Sequence, residues 1–176
     1  MDISGVCSVR VSFLRELCDV VISILLKGSC MNERVLKWLK ANKGKVFASP
    51  RNEVSKRQKQ DFELLGIVDD RVKIRFVGSK HPALPLYFWM FDRTLKYLLE
   101  NKGRPVRLGS KLTPPYDPDT VEGQIWKLPY PTGKASYKAA PHVCDILALA
   151  GLVEYLMVFN PETRRKVQGV KLLDNR

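Results

Sequence analysis

Histidine and cysteine are scarce in this chain, with two and four residues respectively out of 176. Cys7, Cys18, Cys30 and Cys144 form no C-x-x-C pair, which removes zinc ribbons and thioredoxin-type redox motifs. His142 and Cys144 lie two apart, with only His81 available as another imidazole, so neither a metal centre nor a cofactor is expected. The chain also lacks G-x-x-x-x-G-K-[ST], G-x-S-x-G and H-E-x-x-H, so NTPase, serine-hydrolase and zincin chemistry have no support. A membrane span needs roughly 20 apolar residues, and the stretch Val20–Leu26 stops at Lys27 and Gly28. No membrane association is expected.

Acids are also in short supply. Eighteen Asp and Glu face 30 Lys and Arg, for a formal charge of +12 and a pI of about 9.7. Within residues 1–30, Arg10, Arg15 and Lys27 balance Asp2, Glu16 and Asp19, so the whole excess belongs to 31–176 and points to a polyanionic partner. An apolar content of 45% is enough for a core in one ordinary domain or two small ones. The first thirty residues read as a separate leader with an amphipathic helix over about Ser12–Lys27, packing Phe13, Leu14, Leu17, Val21, Ile24 and Leu25. Glu16 and Asp19 sit where a signal peptide would grade into its apolar region, and no A-x-A-like site follows, so a cytoplasmic location is expected. Met31 is an alternative initiator, because Met31-Asn32-Glu33-Arg34 opens a clean helix.

The chain resembles itself. Glu33–Lys45 aligns with Asp92–Arg104, with seven identities: Arg34/Arg93, Leu36/Leu95, Lys37/Lys96, Leu39/Leu98, Asn42/Asn101, Lys43/Lys102 and Gly44/Gly103. Each copy reads as an amphipathic helix with an acid in its first turn, closed by Asn-Lys-Gly with the glycine in the left-handed C′ position. Downstream, Phe62–Asp69 and Leu147–Glu154 share Leu-x-Gly-(Ile/Leu)-Val-acid, which predicts two helix ends, each running into a strand. The interval Gly103–Gly151 exceeds Gly44–Gly66 by close to the length of the proline-rich stretch 113–138, which reads as an insertion in the second copy. The expected architecture is α+β: a leader (1–30) and tandem winged-helix-like units at 31–88 and 89–176.

That order of a helix, an extended link, a helix closing in Leu149-Ala-Gly-Leu-Val-Glu154 and a hairpin resembles a winged helix-turn-helix. The turn Asn160-Pro-Glu-Thr-Arg-Arg-Lys166 between strands is similar to the wing of multiple-antibiotic-resistance-type repressors. The resemblance implies that Arg164 and Arg165 are wing residues directed at the minor groove, with Lys166 on phosphate. In the first copy, Asn52–Leu65 reads as the candidate reading helix, with Val54, Phe62 and Leu65 inward and Lys56, Arg57 and Lys59 solvated for phosphate or base contact. The final helix of the second copy is mostly apolar and exposes little that reads bases. That copy is therefore expected to be structural or dimerising, which leaves a homodimer open, with the wing as its nucleic-acid contact.

The insertion interleaves Tyr116, Trp126, Tyr130 and Tyr137 with Lys127, Lys134 and Lys138. Two readings follow: aromatics that stack on unpaired bases beside phosphate-neutralising lysines, as Trp126 and Lys127 would, or aromatics that pin a long loop to the body. Asp117, Asp119 and Glu122 invite a nuclease reading, but no acid precedes Lys127 by two residues as that chemistry expects. Leu149–Glu154 is also similar to the opening of the LAGLIDADG homing-endonuclease motif, with Leu64–Asp69 as a weaker copy. Arg71-Val72 and Leu156-Met157 stand where that family has its acid and glycine. The expectation is a non-catalytic nucleic-acid binder, with duplex DNA preferred. An RNA- or ribonucleoprotein-associated binder, or a LAGLIDADG-like endonuclease without its usual acids, is the alternative.

Overall fold

The computed structural model describes residues 31–54, 60–109, 113–127 and 137–173. The expected leader helix and Lys56, Arg57 and Lys59 lie outside the described residues.

The two repeated segments form the helices α1, Glu33–Ala41, and α3, Phe88–Glu100. Asn32 caps α1 by accepting from the Arg34 N–H at 3.0 Å, and Val35 and Leu39 face the core. Helix α3 begins four residues before the repeat and buries Met90, Phe91, Thr94 and Leu98. Both end in the same device. The Asn42 side chain donates to the Trp38 carbonyl at 2.8 Å, and Asn101 donates to Tyr97 at 2.9 Å. Gly44 and Gly103 then turn with φ of +79° and +80°. Carbonyls left without intrahelical donors are thus satisfied by the repeated asparagine, while the glycine enters a region that a Cβ disfavours.

After these helices the copies diverge. In the first, β1 (Val46–Ala48) and a single helical turn α2 (Arg51–Val54) lead to β2 (Asp61–Val68), β3 (Arg71–Phe76) and β4 (Leu84–Tyr87). These strands pair antiparallel in the order β1-β2-β3-β4. The continuous helix expected over Asn52–Leu65 is therefore not formed: Arg51–Val54 is a helical turn, but Phe62–Leu65 is strand. Alternation is the physical reason. Phe62, Leu64 and Gly66 turn inward at period two against Val72 and Ile74, while outward Glu63 pairs across the ladder with Arg75 at 2.6 Å. Gly66, with φ +118°, is a bulge in β2 rather than a helix end, and the aliphatic part of Lys43 lies over it.

The second copy continues from α3 to β5 (Val106–Arg107), a short helix α4 (Val121–Ile125), α5 (Ala140–Leu149), and the hairpin β6 (Val153–Asn160) and β7 (Arg165–Leu172). Here Leu-x-Gly does end a helix, with Gly151 at φ +69° after α5. The sheet order is β5-β7-β6, so the short strand joins the hairpin through its second strand. The fold is mixed α+β with two antiparallel sheets, and the buried residues of both halves form one continuous core from Met31 to Val170. Among the described residues, no helix is long and apolar enough to cross a membrane.

Candidate nucleic-acid interface

The hairpin β6–β7 is fully paired from Val153↔Leu172 to Asn160↔Arg165, leaving Pro161–Arg164 as a four-residue tip. Asn160 organises the turn by accepting from the Glu162 N–H at 3.0 Å. Arg164 closes it in the left-handed region at φ +52°, where a side chain costs roughly 1–2 kcal/mol. Arg164, Arg165 and Lys166 are all exposed, and none makes an ion pair among the described residues. At the base of the hairpin, β5 approaches closely because residue 169 is glycine. A Cβ there would lie 2.5 Å from the Val106 carbonyl oxygen and 2.3 Å from a Val158 methyl.

Beneath the hairpin, α5 is buried nearly all round, which leaves it no face for reading bases. Its one acid, Asp145, is fully buried and holds the first copy against the β6–β7 hairpin. Arg51 forks onto it at 2.9 and 3.1 Å, and Ser49 Oγ and Tyr155 Oη each donate at 2.9 Å. Burial pushes the Asp145 carboxyl up, and Arg51 with the two hydroxyls opposes that shift. The bidentate geometry is that of an ion pair, with both hydroxyls added on Oδ1. Beside it, burial lowers His142 to about 3, helped by the Arg51 charge, and its ring packs on Phe76 at 4.9 Å.

The insertion is fixed to this body by a second buried acid. Glu122 accepts from the Ala139 and Ala140 N–H groups at 3.0 and 2.9 Å, satisfying donors at the start of α5, and from Trp126 Nε1. Burial raises its pKa against those bonds. Trp126 is only 5% exposed and meets Trp89 and Tyr137 edge-on, each at 6.0 Å. For Trp126, pinning is the reading the geometry follows, and it presents no face to a base; Tyr130 and Lys134 lie outside the described residues. Lys127 is exposed, and its carbonyl accepts from Arg93 at 2.6 Å.

A groove of about 1150 Å³ lies beside the β6–β7 hairpin, between β7, residues 115–123 and the Arg51–Asn52 and Gln60 ends of the first copy. Arg165, Lys166 and Lys138 contribute charge to it; Arg107 is neutralised by Asp117 at 3.1 Å. Asn52 and Gln60, which line it, flank the segment holding Lys56, Arg57 and Lys59. Two of the three candidate acids serve structure. Asp117 pairs with Arg107 and accepts the Asp119 N–H, and Glu122 holds α5. Among the described residues no three His, Cys, Asp or Glu side chains gather as metal ligands. Leu64–Val68 is strand, so the two LAGLIDADG-like segments do not form a matching pair of helices. Arg51, Asp145 and Tyr155 escaped the sequence reading, although a lone acid inside an apolar helix signals a buried partner. No protein-family model, curated protein or solved structure matches the chain.

Proposed function

We propose that the protein binds nucleic acid, duplex DNA in preference, through the β6–β7 wing, without catalysing a reaction on it. The exposed Arg164-Arg165-Lys166 cluster carries this reading, because it sits at the tip of a fully paired hairpin beside a groove that Arg165 and Lys166 line. Guanidinium groups supply bidentate donors for phosphate or for minor-groove acceptors, and holding Arg164 in a disfavoured backbone region is an expense of the kind found at functional sites. In this reading, residues 89–176 form the winged-helix-like unit, with the helix-strand-helix-helix-hairpin order. Residues 31–88 are a diverged copy whose short strand has joined the other side of its hairpin. Burial of α5 makes the contact one of backbone and groove shape more than base edges.

Competition among duplex DNA, single-stranded DNA and structured RNA of equal length tests the preference. Duplex is expected to displace the others at moderate salt, and displacement in the reverse order would transfer the function to the alternative partner.

A further inference from the structure

The wing outruns the body on which it packs. Tyr155, Met157 and Phe159 alternate onto one face of β6. Tyr155 is anchored, its hydroxyl donating to the Pro141 carbonyl and to Asp145, each at 2.9 Å. Met157 is already 41% exposed, and Phe159 is 59% exposed. Directly opposite on β7, and therefore on the same face, stand Val170, Gln168 and Lys166 in that order. The apolar stripe thus ends in a solvent-facing phenyl ring with a lysine across the ladder and the Asn160↔Arg165 pair one step beyond.

We infer that Phe159 is a stacking platform for an unpaired base, with Lys166 taking the adjoining phosphate. An apolar protein partner fits poorly, because the exposed patch is two side chains wide and covering it would desolvate Lys166, on the same face as Phe159, with no acid supplied. A nucleotide brings a flat π-face and an anion together, which matches an aromatic beside a cation. The inference rests on the nucleic-acid reading and deepens it: the preferred ligand is a duplex interrupted by unpaired bases, where the wing arginines hold the backbone and Phe159 engages an extruded base.

The test uses the full chain with a labelled duplex and the same duplex carrying an internal bubble of unpaired thymines. Wild type is expected to prefer the bubble. Phe159→Ala should weaken bubble binding about 5- to 150-fold, the range of one base–aromatic stack, and change duplex binding by less than about twofold. Phe159→Trp should retain the bubble preference and show tryptophan quenching on binding. If Phe159→Ala binds the bubble as wild type does while Arg164→Ala/Arg165→Ala weakens both ligands, stacking is overturned and the wing reading stands. Equal weakening on both ligands would also overturn it. So would a dimer in sedimentation that Phe159→Ala dissolves, which would assign the patch to a second copy of the chain. Failure of wild type to bind either ligand would overturn both readings.

Discussion

Acidification should reveal His142 as a buried neutral base. Its imidazole packs on Phe76 and lies near Arg51, and Nδ1 has no hydrogen-bond partner among the described residues. Burial, reinforced by the Arg51 charge, lowers its pKa from 6.5 to about 3. A lowered folded-state pKa means that the unfolded chain takes up the proton first. The stability tied to neutral His142 is therefore complete above pH 6.5 and drains away as pH falls toward 3. At pH 5 the linkage amounts to about 2 kcal/mol, or a melting-temperature loss of about 4–8 °C for a domain of this size. Asp145 and Glu122 act in the opposite sense, since their pKa values are raised by burial and their contribution falls as pH rises above the ordinary carboxylate range. Comparison with His142→Phe, which keeps the ring on Phe76, cancels those shared contributions. Urea denaturation of both proteins from pH 8 to pH 5 should show wild type losing about 2 kcal/mol more than the variant. Parallel stability curves would refute a buried, neutral His142.

Two further substitutions probe the support of the β6–β7 hairpin. Asp145→Ala strands the Arg51 guanidinium, 15% exposed, with two hydroxyls, and should cost about 3–5 kcal/mol by denaturant midpoint; a loss below about 1 kcal/mol would mean that the pair behaves as a surface ion pair. Gly169→Ala forces a methyl against the Val106 carbonyl and should destabilise by about 1–3 kcal/mol while speeding hydrogen exchange at the Leu108 N–H, which donates to Gln168 at 3.1 Å; unchanged exchange there would show that β5 does not depend on the glycine.

Local signals made much of the second copy legible. Asn-Lys-Gly encodes a complete helix stop within three residues, so α1 and α3 end where the repeat predicts. Leu149-Ala-Gly151 likewise closes α5, and Asn160-Pro161 turns the β6–β7 hairpin. The first copy misleads because Leu-x-Gly has two structural solutions. Cross-strand contact of Phe62 and Leu64 with β3 decides for a bulged strand, and those partners lie beyond any helical window. The Arg51–Asp145 pair joins residues 94 apart, and no local pattern matches one to the other. Trp126 was ambiguous for a related reason. An aromatic among lysines stacks or anchors according to whether a buried acceptor faces its indole N–H, and Glu122 supplies that acceptor.

If the β6–β7 tip engages a nucleic-acid backbone as proposed, the salt dependence of duplex binding reports it. Log affinity against log salt concentration should be steep for wild type. For Arg164→Ala/Arg165→Ala it should be weaker and flatter, by about 1.8 in slope if both arginines release counterions at phosphates. Identical slopes for the two proteins would contradict the account.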